Sequence, residues 1–275
     1  MTDIINTFVF PIIRRDYVIP ALDTLRRWTP KNFKVIVVNQ ARYDPDFEKT
    51  LWGSADLVIR TKLNYGFAQA ANMGMRLATT EYVTVCNDDV LFLPYWWEGV
   101  IETFERFPKA LGVVPMSPKE PGWGYGEKGY RIHATLEECR ERPEAVVKRL
   151  TEEWNGAVID GFPCWCATFK REPWLELGMF DERFIPGGGE DYDCLARAYQ
   201  AGYRMLASSY AWVWHHWGQS KDEPDGFKTA LRQARPHWNK LSTKGFGAEG
   251  LWDPDLCQWG RNCTRTDLVV WRAPL

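Results

Sequence analysis

The sequence lacks the features that mark membrane, secreted and nucleic-acid-binding proteins. No apolar run approaches the roughly 18 residues that a membrane span requires, and the first residues show no long apolar core of a secretory signal. Charge is nearly balanced, with a formal net charge of -2, so no global field attracts nucleic acid or an anionic membrane. We therefore expect a cytoplasmic protein without a transmembrane segment or a nucleic-acid partner, either free or peripheral to the membrane.

Cysteine is present without the pattern of a disulfide framework. The seven cysteines are odd in number and scattered, which favours reduced thiols. Cys164 and Cys166 lie near His215 in the sequence, but two thiols at this spacing make a poor zinc site, so core positions are the favoured interpretation. Internal repeats and low-complexity tracts are absent, and 275 residues can bury a substantial core.

Strands alternate with helices through the first half of the chain. The spacing of apolar residues predicts strands over 7–13, 34–39, 56–60, 82–86 and 110–115, and helices over 20–28, 66–78 and 97–107. This alternation predicts an α/β fold with a Rossmann-like, mostly parallel sheet flanked by helices. In such sheets ligands bind at the carboxyl ends of the strands.

The second half is less regular. A Gly/Pro-rich loop over 116–130 precedes a charged helical segment over 135–153 that Pro143 interrupts. Strands over 157–170 and 204–215 flank a helix over 190–201, and a further helix is expected near 227–234.

Two acidic clusters are candidates for chemistry. Asn87, Asp88 and Asp89 directly follow a predicted strand, where carboxylates can hold Mg²⁺ or Mn²⁺ on a diphosphate. An Asx-turn that closes the strand is an equal alternative. Glu190 and Asp191 begin a helix, where acidic residues also offset the helix dipole.

The glycines before the second cluster favour a functional interpretation. Pro186 precedes three consecutive glycines, which cost conformational entropy and pack no side chain. His215 and His216 end a predicted strand and point to opposite faces, so at most one of them lines a site.

Taken in order, these segments resemble family 2 glycosyltransferases with a GT-A fold, most closely the bacterial rhamnosyltransferase-like branch. Residues 64–74 are similar to the family's N-x-G-F-x-x-x-x-N-x-G helix, and 87–89 to its N-x-D variant of the D-x-D motif. Residues 178–184 and 190–193 are similar to its G-x-F-D-E-x-F and E-D-x-D patterns, and 215–220 to its closing H-x-x-G-x-S. The resemblance covers about 7–220.

The resemblance implies an inverting transfer from a nucleotide-diphosphate sugar to an acceptor glycan, a lipid-linked sugar or another hydroxyl compound. Asp191 is then the general base and Glu190 orients the acceptor. A divalent metal, Mn²⁺ or Mg²⁺, is held by Asp89 and His215, with His216 as the alternative. The implied contacts to the nucleotide and its diphosphate are Pro11, Asn39, Asn64, Gly66, Asn72, Asn87 and Asp88.

The resemblance also divides the chain. Residues 1–220 are the expected catalytic domain, with a nucleotide-sugar half over 1–115 and an acceptor half over 116–220 that carries a variable insert over 116–156. Residues 221–275 are expected to form a helical or irregular extension packed on this domain. Family members often carry Asp where this chain has Asn39, which leaves the nucleobase open. The alternative function is a catalytically silent nucleotide- or carbohydrate-binding protein.

Overall fold

The computed structural model describes residues 5–121, 130–160, 164–184, 187 and 189–217. In chain order the strands are β1 (Asn6–Ile12), β2 (Phe33–Asn39), β3 (Leu57–Arg60), β4 (Tyr82–Cys86), β5 (Val90–Phe92), β6 (Ala110–Met116), β7 (Lys119–Pro121), β8 (Tyr130–Ile132), β9 (Val158–Asp160), β10 (Cys166–Lys170) and β11 (Arg204–His215). The helices are α1 (Val18–Trp28), α2 (Pro45–Trp52), α3 (Phe67–Met75), α4 (Trp96–Arg106), α5 (Leu136–Glu141), α6 (Pro143–Trp154), α7 (Arg171–Glu176) and α8 (Glu190–Gln200).

One nine-stranded sheet organises the described chain. Its order is β3-β2-β1-β4-β10-β6-β11-β5, and β9 pairs with β11. Strands β1 to β4 are parallel neighbours, and β6 and β11 are parallel to each other. Strand β10 is antiparallel to both of its neighbours, β4 and β6. The predicted α/β fold with a mostly parallel sheet and flanking helices is confirmed.

Helices cover the sheet, so its central strands are almost entirely buried. Every residue of β1 is buried, as expected for a strand covered on both faces. Helix α3 approaches β1 closely because Gly74 has no side chain: a Cβ there would lie 2.3 Å from Val9 Cγ1. Helix α4 meets β11 in the same way at Gly99, where a Cβ would lie 1.9 Å from the Tyr210 carbonyl oxygen.

Five short elements escaped the sequence prediction, namely α2, β5, β7, β8 and α7, and one predicted segment was too long. Asp44 is the N-cap of helix α2, and its side chain accepts hydrogen bonds from the N–H groups of Asp46 and Phe47. Strand β5 and helix α7 are too short to show a period. The segment 157–170 divides into β9 and β10. The predicted interruption of the helical segment 135–153 at Pro143 is confirmed, since Pro143 begins α6 after the end of α5.

Some predictions fall on residues outside the described part of the chain. They include the 221–275 extension, the helix near 227–234, and Gly218 and Ser220 of the closing pattern. Among the described helices, none is both long enough and apolar enough to cross a bilayer.

Candidate active site

The first acidic cluster lies at the carboxyl end of a central strand. β4 ends at Cys86, and Asn87, Asp88 and Asp89 follow before β5 begins. The backbone N–H of Asn87 donates to the Trp165 carbonyl at 2.8 Å, which fixes this turn to the segment that enters β10. This is the edge of the sheet where the strand pattern predicts a ligand site.

Strand β11 brings His215 against this cluster. His215 is the last residue of β11 and pairs with Val90 across the antiparallel β11–β5 ladder. Its imidazole therefore faces Asp89, the residue just before β5. Asp89 Oδ1 lies 3.0 Å from His215 Nε2, and Asn87 Nδ2 lies 3.3 Å from the same nitrogen. Only 6% of Asp89 and 3% of His215 is exposed, so this is a buried polar pair.

The surroundings of the cluster shift the pKa values of Asp88 and Asp89 in opposite directions. Burial raises the pKa of Asp89, but the charge of His215 and its hydrogen bond outweigh burial and leave that pKa below its ordinary value. Burial and the neighbouring charge of Asp89 raise the pKa of Asp88 to about 8. One oxygen of Asp88, Oδ2, is buried and has no hydrogen-bond partner within the described structure.

His216 takes a different direction from His215. Its backbone N–H donates to the Asp89 carbonyl at 2.9 Å, while its ring lies 5.4 Å from the ring of Tyr17, between centroids. Burial lowers the pKa of His216. The geometry therefore puts His215, and not its neighbour, beside the acidic side chain; metal binding by either residue stays a prediction.

The second acidic cluster begins helix α8. Gly189 precedes the helix with φ at 102°, a left-handed conformation that favours glycine. Glu190 is buried, with 5% of its surface exposed, and Asp191 is half-buried. Burial raises the pKa of Asp191 to about 6, against the opposing hydrogen bond from the Cys164 backbone. A carboxyl with this pKa is ionised at neutral pH and is a better proton acceptor than an exposed aspartate.

Consecutive residues connect the two clusters. The Cys164 backbone contacts Asp191, while the indole of Trp165 stacks on the imidazole of His215 with ring centroids 4.7 Å apart. The Cys164 and Cys194 sulfur atoms lie 3.7 Å apart, and both residues are buried. Cys164 and Cys166 are core residues, as the sequence interpretation favoured, and the segment 164–166 links the two acidic clusters.

Three of the residues predicted to contact the nucleotide, namely Pro11, Asn64 and Gly66, lie in β1 and in the turn before α3. Asn64 and Gly66 form the turn before α3, where the Asn64 side chain accepts from the Gly66 N–H at 2.9 Å. Gln40, which follows β2, accepts from the Tyr65 N–H at 2.7 Å. Pro11 is buried in β1 beside Val38 of β2.

Asn39 and Asn72 are occupied by protein partners. The Asn39 amide donates to Glu48 and accepts from the Ala41 N–H, and its residue is fully buried. The Asn72 amide donates to the Phe180 carbonyl at 2.8 Å and accepts from the Phe180 N–H at 3.2 Å. These bonds give both asparagines a role in holding the site together, and they disfavour the predicted direct contact with a nucleotide.

Sequence reasoning missed the aromatic residues around His215. Trp165 and Trp217 both contact its ring, and neither was a candidate. Strand alternation could not indicate them, because Trp165 precedes β10 and Trp217 follows β11.

Two protein ligands are too few to define a metal site alone. Within the described ranges, no group of three or more His, Cys, Asp or Glu side chains is arranged to hold a metal ion. A carboxylate and an imidazole are nevertheless suitable donors for Mn²⁺, and a cation that binds substrate phosphates commonly takes only one or two protein carboxylates. The donors present therefore fit a divalent cation whose remaining ligands come from substrate and water.

Curated relatives match most of the chain at low identity. It is 26% identical over 213 residues to the glucosyl-dolichyl phosphate glucuronosyltransferase of Haloferax volcanii, covering 70% of this chain and 61% of that protein. It is 26% identical over 234 residues to the validoxylamine A glucosyltransferase of Streptomyces hygroscopicus subsp. limoneus, covering 74% of this chain and 50% of that protein. A shorter match, 28% identical over 103 residues, is to an uncharacterized glycosyltransferase of Haemophilus influenzae, of which the chain spans 35%.

Solved structures support the GT-A fold. The mannosyltransferase PcManGT from Pyrobaculum calidifontis, solved with GDP-Man and Mn²⁺, superposes with a TM-score of 0.58 at 21% identity, over 87% of this chain and 64% of that one. GalNAc-T7, solved with UDP, GalNAc and Mn²⁺, superposes with a TM-score of 0.58 at 15% identity, over 85% of this chain and 48% of that one. At these identities the likeness concerns the fold alone.

The family is identified by a match that begins in β1 and covers more than half of the chain. It spans residues 7–177 and contains the first acidic cluster. Glu190, Asp191 and His215 follow after its end. The rhamnosyltransferase-like branch stays a prediction, since neither curated relative that matches most of the chain carries that name. The chain belongs to glycosyl transferase family 2.

Proposed function

We propose that this chain is an inverting glycosyltransferase that moves a sugar from a nucleotide-diphosphate donor to an acceptor hydroxyl. The observation that carries the proposal is that the segment 164–166 contacts two acidic sites, one on each side. A buried Asp89–His215 pair suited to a cation lies on one side of residues 164–166, and Asp191, with a raised pKa, lies on the other. The names of the curated relatives, both of them transferases of sugars, support the same reaction class.

Asp191 is the proposed general base. Its pKa of about 6 leaves the carboxylate ionised at neutral pH. It accepts the proton of the acceptor hydroxyl as the acceptor oxygen forms a bond to the anomeric carbon. The bond from that carbon to the diphosphate oxygen breaks, and the nucleoside diphosphate leaves with the electron pair. Attack opposite to the leaving group inverts the anomeric centre.

Glu190 is the proposed acceptor-orienting residue. It is buried at the first position of α8, directly beside the base in sequence, so its carboxylate is held by the same helix start. A hydrogen bond from an acceptor hydroxyl to this carboxylate would orient the sugar for attack, and positioning of this kind lowers the entropic cost of the reaction.

Asp89 and His215 are the proposed metal ligands, with Asn87 and Asp88 supporting the donor diphosphate beside them. When bound, a divalent cation offsets the charge that develops on the departing diphosphate. Two structural neighbours were solved with Mn²⁺ and a nucleotide or nucleotide sugar, which supports a divalent cation and such a donor for this fold. The proposed donor-side contacts are Pro11, Asn64 and Gly66, and Asn39 and Asn72 act by fixing the neighbouring loops.

Thermal unfolding with nucleotides tests the donor site. We expect one of UDP, GDP, dTDP and CDP to raise the melting temperature in the presence of Mn²⁺, and excess EDTA to remove the increase. A ligand at one hundred times its dissociation constant stabilises the native state by about 2.7 kcal/mol, which the method resolves. Asp89→Asn should lose the effect, whereas Asp46→Asn, an exposed residue of α2, should keep it.

Two other results of this assay would contradict the proposal. No stabilisation by any nucleotide with Mn²⁺ would refute the metal–diphosphate site. Stabilisation that persists in EDTA and in Asp89→Asn would favour a nucleotide-binding protein without metal-dependent catalysis.

A further inference from the structure

The imidazole of His215 contacts two indole rings, which also contact each other with centroids 5.7 Å apart. Trp165 stacks on it with centroids 4.7 Å apart and planes inclined by 16°. Trp217 contacts it with centroids 4.1 Å apart and an inclination of 42°. In the sequence, the segment 164–166 was notable for its two thiols. In the structure, the residue between them, Trp165, contacts the proposed metal ligand.

The second ring nitrogen of His215 lacks the contact that normally orients a metal-binding histidine. Such histidines usually donate their other N–H to a carboxylate, a carbonyl or water, which fixes the ring. Here Nδ1 is buried and has no hydrogen-bond partner within the described structure. The ring is therefore held by a hydrogen bond on its Nε2 side alone, where the nearest partner is Asp89 Oδ1 at 3.0 Å.

The two indoles can provide the missing orientation because both are fixed. Trp165 is 4% exposed, and its carbonyl accepts the Asn87 N–H at 2.8 Å. The Trp217 indole N–H donates to the Lys119 carbonyl at 2.6 Å. A rotation of the imidazole out of its plane would drive its edges into these rings, so packing keeps Nε2 directed at Asp89.

We propose that Trp165 is a positioning residue for His215 and that its indole face favours the ring in its metal-bound form. An imidazole that shares the charge of a cation is attracted to the electron-rich face of an indole, and tryptophan is the strongest of the aromatic side chains in this role. Trp165 thus replaces the absent hydrogen bond at Nδ1. This proposal rests on the proposed function only where it concerns the metal.

Nuclear magnetic resonance of the histidine rings tests the positioning without any metal. The chain has four histidines, and His215→Ala identifies the signals of the residue in question. In the metal-free wild-type protein, the His215 ring protons should be shifted upfield by the indoles and show Overhauser contacts to Trp165. Trp165→Leu should remove the shift and broaden the signals, while Trp165→Phe, which keeps an aromatic face, should retain most of the order.

Electron paramagnetic resonance of free Mn²⁺ measures the affinity of each variant for the cation. In the presence of the nucleoside diphosphate that stabilises the wild type, Trp165→Leu should bind Mn²⁺ about ten-fold more weakly, at the low end of the 10–100-fold loss for outer-shell changes. Trp165→Phe should recover most of that loss. The control is Trp174→Leu, which removes another buried, stacked indole, one that lies 3.9 Å from the ring of Phe169; it should leave Mn²⁺ affinity unchanged.

The two measurements test the positioning role of Trp165 separately from the metal-dependent function. Unchanged His215 signals in Trp165→Leu, or wild-type signals without the indole contacts, would overturn the positioning role whatever the metal does. Equal loss of Mn²⁺ affinity in Trp165→Leu and Trp174→Leu would also overturn it, because the effect would then be one of stability. A wild-type protein that binds no Mn²⁺ refutes the metal-dependent function, and the ring signals alone then decide the positioning role.

Discussion

Replacing Asp191 by asparagine should make the protein more stable and less active. The substitution keeps the shape of the side chain and an oxygen that can accept from the Cys164 backbone, but it removes the charge. Burial raises the pKa of Asp191 from its ordinary value of 3.8 to about 6, which means that the folded protein disfavours the ionised carboxylate. Activity needs that ionised form, so the two properties should move in opposite directions.

The size of the stability gain follows from the pKa of Asp191. One unit corresponds to about 1.4 kcal/mol, so a rise from 3.8 to about 6 sets an upper limit near 3 kcal/mol. Because Asp191 is only half-buried and an amide also loses hydration there, we expect about 1–2 kcal/mol, or roughly 2–6 °C in melting temperature. The loss of a general base should lower the turnover rate by about 10²–10⁴-fold.

The gain should depend on pH with a definite sign. Below about pH 4 the carboxyl is protonated in both the folded and the unfolded chain, so wild type and Asp191→Asn should melt alike. Between 3.8 and 6 the folded protein holds the proton more tightly, and wild-type stability falls as pH rises. The difference between the two proteins should therefore grow up to about pH 6–7 and then stay constant.

Thermal melts from pH 4 to 8 measure this dependence without any knowledge of the substrates. The matched control is Asp193→Asn on the same helix, whose carboxylate pairs with Arg197 at 2.7 Å; it should lose stability instead of gaining it. A melting difference for Asp191→Asn that does not change with pH would refute the reasoning. Activity within ten-fold of the wild type, once donor and acceptor are known, would refute the role of Asp191 as base.

Three further predictions concern other parts of the site and the fold. His215→Ala should lose the Mn²⁺-dependent stabilisation by nucleotide, and His216→Ala should keep it, in the same thermal assay. Asn72→Ala should destabilise the fold by about 1–3 kcal/mol for each buried partner that it leaves unsatisfied, measured by denaturant unfolding. Gly99→Ala should cost about 1–3 kcal/mol or more, because its Cβ would lie 1.9 Å from a β11 carbonyl oxygen and α4 would have to move; an unchanged midpoint would contradict the packing described here.

The fold was accessible from the sequence because periodicity and burial agree along the first half. The β4 segment (Tyr82–Cys86) was predicted with its observed bounds, since an apolar run that ends in Asn87 has few other interpretations. β5 was missed because three residues cannot show a period. β9 and β10 were merged although Gly161 and Pro163, residue types that typically interrupt a strand, lie between them.

The candidate site was accessible only in part. Spacing indicated the acidic clusters and left two histidines as alternatives; the β11–β5 register then put His215 beside Asp89. The partner of Asn72 could not be read from the sequence because Phe180 lies 108 positions away. The partner of Asn39, Glu48, lies nine positions away, but on α2, a helix that the sequence pattern did not predict. Contacts of this kind depend on tertiary packing, which local pattern does not encode.

The position of β10 has a consequence for how the protein is made. This strand lies between β4 and β6 and is antiparallel to both, yet its Thr168 meets Thr84, a residue 84 positions earlier. Until β10 leaves the ribosome, β4 and β6 each present an unpaired edge, and such edges favour aggregation. Closing so long a loop is slow. A fragment over 1–115, although it contains β1 to β4, should therefore accumulate as insoluble protein, and productive folding should begin only after synthesis has passed residue 170.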